Sequence, residues 1–74
     1  MNVTFGERIR YLRELRGLTQ KQLGEALQMT QRKISYLERD RFEPGLQDLI
    51  LLCRFFSVSA DALIGLADLP AAKN

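Results

Sequence analysis

The types of side chain this protein carries limit the chemistry open to it. There is no histidine, one cysteine (Cys53) and no clustering of carboxylates along the 74 residues. A metal site needs several ligands converging, and a nucleophile needs an adjacent base. Catalysis and metal binding therefore have no candidate residues, no cofactor is implied, and Cys53 reads as a small core residue. What remains is hydrogen-bonding and cationic. The segment Thr30-Gln31-Arg32-Lys33-Ile34-Ser35-Tyr36 is the densest example. On a helix, the first, second and sixth positions after Thr30 share one exposed face, which gathers Gln31, Arg32 and Tyr36. Glutamine bonds bidentately to adenine, arginine to guanine, and a tyrosine ring meets a thymine methyl. Lys33 beside them is long enough to reach a base or a phosphate. The same residues also suit the solvated face of an amphipathic helix, and this segment alone does not separate the two readings.

These side chains need a frame. A chain of 74 residues forms one domain with no room for a second core, and so small a core supplies only about 3–5 kcal/mol of net stability. Apolar residues at 46% suffice for a globular fold. One cysteine excludes an intrachain disulfide or cysteine-based zinc and suits a reducing compartment. The amino terminus has no basic-then-apolar leader, and no apolar run approaches the roughly 18 residues of a membrane span. A soluble, cytoplasmic protein without a membrane partner is expected. Net charge is only +2, but residues 1–41 carry nine basic and five acidic side chains, and residues 42–74 two and four. A basic first half points weakly toward a polyanion.

Apolar spacing follows the helical period throughout, and no stretch alternates as a strand would. Five helices are predicted. The first spans about Phe5 to Arg16, opened by the capping-box pair Thr4 and Glu7, striped by Phe5, Ile9 and Leu12, and ended at Gly17. The second is capped by Thr19 with Gln22 and runs to about Leu27, with Leu23, Ala26 and Leu27 inward. After the turn Gln28–Met29, Thr30 caps a third helix reaching about Arg39, with Ile34 and Leu37 inward. Two short helices joined so tightly must cross steeply, as in a helix-turn-helix. Pro44 blocks continuation and Gly45 caps a fourth helix, Leu46 to Phe56, with the stripe Leu46, Leu49, Ile50, Cys53 and Phe56. Ser59 caps a last helix through Ile64. The predicted core covers about residues 4–65, and residues 66–74 read as a flexible tail.

The segments Gly17-Leu18-Thr19-Gln20-Lys21-Gln22-Leu23-Gly24 and Thr30-Gln31-Arg32-Lys33-Ile34-Ser35-Tyr36-Leu37-Glu38-Arg39 together resemble the phage-repressor/Cro-like (Xre-type) helix-turn-helix family. Pro44-Gly45-Leu46-Gln47-Asp48-Leu49 and Val58-Ser59-Ala60-Asp61-Ala62-Leu63 continue the pattern, so the resemblance covers about residues 5–65. It implies an all-α, five-helix repressor-like domain that binds operator DNA as a transcriptional regulator. Helix 3 would lie in the major groove, with Gln31, Arg32, Tyr36 and Lys33 at base edges. Thr19 and Gln20 present a helix N-terminus to phosphate, as Thr30 does for helix 3. The resemblance also places the Gln20 side chain at the DNA backbone. Arg39 and Arg41, just past helix 3, are further candidate phosphate contacts. Arg13 and Glu38 match family positions that often form an inter-helix ion pair.

The chain departs from the family pattern at Gln28, Asp40 and Ser57, where glycine is common. If φ stays positive there, each costs on the order of 1 kcal/mol, with Asp40 the best tolerated. Gly24 stands where alanine is usual, which suits close helix packing. On helix 4, Leu51 and Phe55 fall off the predicted core stripe. With Leu66 and Leu69 they suggest an apolar partner surface and a homodimer reading a palindromic operator, its recognition helices about 34 Å apart. The alternative is a protein-interaction module on the same fold, such as an antitoxin or a coactivator-like adaptor. No small-molecule effector is expected in so small a core.

Overall fold

Each helix begins where a short polar side chain can satisfy the first free N–H groups. In the computed structural model, which describes residues 3–70, α1 spans Phe5–Leu15, α2 Gln20–Leu27, α3 Gln31–Glu38, α4 Leu46–Phe56 and α5 Ala60–Ile64. Among the described residues there is no strand. Thr4 and Glu7 form a complete capping box on α1, and Thr19 and Gln22 form one on α2. Thr30 accepts the Lys33 N–H at 3.0 Å and Ser59 the Ala62 N–H at 3.1 Å. Each such cap is worth about 1 kcal/mol. Gly45 starts α4 with no side-chain cap bond.

Three helix ends turn through the left-handed region without glycine: Gln28, Asp40 and Ser57 have φ of 58°, 57° and 55°. The strain foreseen at these positions is therefore present. Gln28 lets its own N–H and that of Met29 bond back to Glu25 and Gly24, which closes α2 and reverses the chain into α3. Gly24 sits against that reversal, and a Cβ there would lie 2.5 Å from the Met29 carbonyl oxygen. Gly6 plays the same part between α1 and α3, where a Cβ would collide with the carbonyls of Leu37 and Glu38.

The core is Ile9 and Leu12 of α1, Leu23 and Leu27 of α2, Ile34 and Leu37 of α3, Leu52 and Phe56 of α4, and Leu63 of α5. Two inward assignments from periodicity are corrected. Ala26 is exposed, its place on α2 being taken by the buried Gly24. On α4 the buried line is Leu52 and Phe56, while Leu46 is 75% exposed and Ile50 also faces solvent. Leu49 and Cys53 are half-buried beside that line.

The proposed partner surface is corrected as well. Leu51, Phe55 and Leu69 are half-buried and pack against the core; of the four residues, only Leu66 stands exposed. Arg16 covers Phe55: its guanidinium lies 5.2 Å from the Phe55 ring and 5.3 Å from that of Phe56, and donates to the Phe55 carbonyl at 2.7 Å. That arginine caps the end of α4 and shields the aromatic pair in one placement. Two contacts tie residues 66–70 to the helices. Leu69 packs on the core, and the Tyr11 hydroxyl donates to the Pro70 carbonyl at 2.9 Å. The remainder of the predicted tail, 71–74, lies outside the described residues.

Candidate nucleic-acid interface

The helical period, together with the packing of Ile34 and Leu37 into the core, turns one face of α3 outward. On that face Gln31, Arg32, Ser35, Tyr36 and Arg39 line a shallow open cleft, and Gln20 of α2 completes it. Three of the four predicted base-contact residues, Gln31, Arg32 and Tyr36, are thus brought together and exposed. Ser35 was not singled out from the sequence. It lies one turn after Gln31 on the same cleft, a placement the i, i+4 spacing alone indicates.

Lys33 is placed elsewhere. It points toward α4, where its ammonium meets the two carboxylate oxygens of Asp48 at 2.9 and 3.1 Å. This half-buried bridge fastens α3 to the first turn of α4, where Asp48 also suits the positive end of the helix dipole. Lys33 thus stands apart from the cleft that gathers Gln31, Arg32 and Tyr36, as a strut between α3 and α4.

Beneath the cleft lies a buried charge network. Arg13 Nε and Nη2 donate to the two Glu38 oxygens at 2.6 and 3.0 Å, a bidentate fork joining α1 to α3. The side chains are only 11% and 3% exposed. Arg13 Nη1 also donates to the Leu18 carbonyl at 2.7 Å, in the turn that leads into α2. Its hydrogen bond to Glu38 holds the Arg13 guanidinium's pKa above the ordinary arginine value, against the opposing effect of burial. Gln20 then donates its Nε2 to Glu38 Oε1 at 3.1 Å. No short-range pattern indicates this bond, because it depends on how α2 crosses α3. It orients the Gln20 carboxamide at the edge of the cleft.

The phosphate-contact candidates frame this face. Thr19 and Thr30 are exposed at the starts of α2 and α3. The α2 capping box engages the N–H groups of Thr19 and Gln22, leaving those of Gln20 and Lys21 without an acceptor inside the helix. Arg39 and Arg41 are exposed just beyond α3. Asp40 between them is anchored to the start of α1: it accepts the Thr4 hydroxyl at 2.6 Å and the Gly6 N–H at 2.9 Å. Among the described residues, no group of three or more histidine, cysteine or acidic side chains is placed to hold a metal ion.

Five helices with a tight reversal between the second and third, and polar residues turned out along the third, define a helix-turn-helix domain. Comparison with known proteins agrees. The helix-turn-helix family model matches residues 9–63, and the chain belongs to that family. It is 34% identical over 67 residues to an uncharacterized HTH-type transcriptional regulator, YobD, of Bacillus subtilis (strain 168), covering 90% of this chain and 60% of that protein. It is 33% identical over 63 residues to the immunity repressor protein of Bacillus phage phi105, covering 85% and 44%. The chain thus spans less than two thirds of either relative. The P22 c2 repressor, solved in complex with a synthetic operator, superposes with a TM-score of 0.83 at 30% identity, covering 89% of this chain and all of that one. The repressor-like five-helix architecture read from the sequence is the one observed.

Proposed function

We propose that this domain binds double-stranded DNA sequence-specifically as a transcriptional regulator, acting as a repressor, with α3 in the major groove. The observation that carries the reading is the convergence of Gln31, Arg32, Ser35, Tyr36, Arg39 and Gln20 on one open cleft of α3. These side chains have donor and acceptor patterns suited to base edges and phosphates. Arg32 reads guanine and Gln31 adenine, and Tyr36 contacts a thymine methyl. Thr19, Gln20, Thr30, Arg39 and Arg41 hold the DNA backbone on either side. The names of the relatives, transcriptional regulators and a phage immunity repressor, support the same reading. In this role the domain binds rather than catalyses, and it works in the cytoplasm. Among the described residues, no helix is long and apolar enough to cross a membrane.

The binding form we propose is a two-fold homodimer on a palindrome with half-sites about one helical turn apart. With Leu51, Phe55 and Leu69 packed on the core, the exposed apolar side chains at the α5 end that a second copy could cover are Ile64 and Leu66, 52% and 75% exposed, while Leu46 on α4 is exposed as well. A sedimentation profile that stays monomeric at tens of micromolar, with DNA bound one protomer per site, would remove the dimer from this scheme.

The test is selection from a randomised duplex pool at about 50 and 200 mM salt. The expected result is an enriched palindrome whose affinity falls steeply with salt. Arg39 and Arg41 of two protomers supply four phosphate contacts, enough by themselves for a drop on the order of a hundredfold between the two conditions. A pool without enrichment, bound weakly and only at low salt, would overturn the regulator reading in favour of a protein-interaction module.

A further inference from the structure

Tyr36 does not stand alone on the reading face. Its ring meets that of Phe42 edge to face, with centroids 6.4 Å apart and planes at 83°. The Arg39 guanidinium lies 5.6 Å from the Tyr36 centroid, and Arg39 Nε reaches back to the Ser35 carbonyl at 3.4 Å. Phe42 lies outside the helix-turn-helix, on the connection from α3 to α4. That connection is held in place: the Arg41 N–H bonds to the Tyr36 carbonyl at 2.9 Å, and the Asp40 carboxylate is bound to Thr4 and Gly6 of α1. Phe42 itself is 38% exposed and absent from the core. Phe42 also borders a shallow cleft with Phe5, Asp40 and Pro44, and its edge-to-face contact with Tyr36 is the one that ties this connection to the exposed face of α3.

We propose that Phe42 is a positioning residue for base readout: together with Arg39, it holds the Tyr36 ring in one orientation toward the base pair that Tyr36 contacts. An exposed tyrosine without such support must give up rotamer freedom when it binds, and it tolerates several bases equally because it can swing away from a mismatch. A ring fixed in advance loses less entropy on binding and tolerates mismatches poorly. The inference rests on the DNA-binding reading above and extends it to a residue beyond the recognition helix.

The experiment measures relative affinities for every single-base change in the selected half-site, using the full chain and the variants Tyr36→Ala, Phe42→Ala, Phe42→Leu and Phe42→Tyr. Tyr36→Ala identifies the base pair in question as the one whose preference it erases. Phe42→Ala and Phe42→Leu are expected to lose roughly two- to tenfold discrimination at that base pair, the strength of an edge-to-face aromatic pair. They should keep wild-type preferences elsewhere in the site and wild-type affinity for unrelated DNA. Phe42→Tyr, which keeps the ring edge, should restore the preference, and Tyr36→Ala/Phe42→Ala should discriminate no worse than Tyr36→Ala. Phe42→Leu keeps apolar bulk and so limits the packing loss, and melting curves of both variants separate a folding defect from a loss of discrimination. Preference retained by Phe42→Ala at the Tyr36 base pair, or lost evenly at all positions, overturns the proposal alone. A wild-type protein with no sequence preference removes the regulator reading and this inference with it.

Discussion

Replacing either partner of the Arg13–Glu38 pair should nearly unfold the domain. Both side chains are almost fully shielded from water, and the contact is a bidentate fork at 2.6 and 3.0 Å. Truncating Glu38 leaves a guanidinium buried with only the Leu18 carbonyl as acceptor; truncating Arg13 leaves a carboxylate with only Gln20. The expected cost of breaking a buried pair in this way is about 3–5 kcal/mol, as large as the whole stability expected of so small a core. Arg13→Met and Glu38→Leu should each be largely unfolded at 25 °C, recovering helical signal only in an excluded osmolyte such as trimethylamine oxide. The double variant Arg13→Met/Glu38→Leu removes both charges. It should return to within about 1 kcal/mol of the parent or exceed it, because an apolar pair avoids the desolvation cost. Urea unfolding followed by circular dichroism, with the osmolyte series extrapolated to zero, gives all four corners of the cycle. Single variants costing under about 1 kcal/mol each would show instead that the pair behaves as an exposed one and does not hold α1 to α3. The arginine itself brings no pH dependence in the working range. Its pKa is raised in the folded state, so its contribution is complete below arginine's ordinary value and lost only as pH rises through the folded one.

Four further outcomes are expected. Gln28→Gly and Ser57→Gly, which relieve left-handed strain at φ of 58° and 55°, should raise stability by about 0.5 kcal/mol, seen as a few degrees in Tm. Asp40→Gly should instead lower it by about 1–2 kcal/mol, because it breaks the bonds to Thr4 and Gly6; a gain there would refute the anchoring role. Gly6→Ala should destabilise strongly, since the atoms a Cβ would strike are main-chain carbonyls, and a Tm within two or three degrees of the parent would contradict this. Arg41→Ala should weaken binding evenly across DNA sequences and reduce the salt slope by about one per protomer, whereas Arg32→Ala should relax preference at one base pair.

The parts of this molecule legible in its sequence are those fixed by neighbours within a few residues. Thr4 with Glu7 and Thr19 with Gln22 marked the starts of α1 and α2 because a capping box is a local hydrogen-bond exchange. Gln31, Arg32 and Tyr36 could be placed on one face because the helical period needs no tertiary knowledge. Helix α4 shows where that method loses its hold. Leu49-Ile50-Leu51-Leu52-Cys53 and Phe55-Phe56 make it apolar almost all round, so periodicity cannot fix its phase, and the buried line fell on Leu52 rather than Leu46 and Ile50. The cover of Phe55 by Arg16, the bridge from Lys33 to Asp48 and the bond from Gln20 to Glu38 all join residues 15 or more positions apart. Each depends on crossing angles that no short pattern encodes.

Glu38 links the buried core of the domain to its exposed cleft. A buried ion pair is often no better for stability than well-packed apolar side chains, so its presence here calls for a reason beyond the fold. The third donor to Glu38 supplies one. Glu38 Oε1 accepts from both Arg13 and Gln20, and Gln20 stands at the edge of the reading cleft. Arg13 neutralises the carboxylate, and the carboxylate fixes the Gln20 amide at the edge of the cleft, where the proposed complex needs a backbone contact. An apolar pair would fill the same space and leave Gln20 without its acceptor. The double variant Arg13→Met/Glu38→Leu therefore separates two properties that the native pair joins. It should fold as well as the parent yet bind DNA more weakly. Gln20→Ala, harmful to binding in the parent, should have little further effect in that background. Equal losses from Gln20→Ala in both backgrounds would mean that the buried charges serve the fold alone.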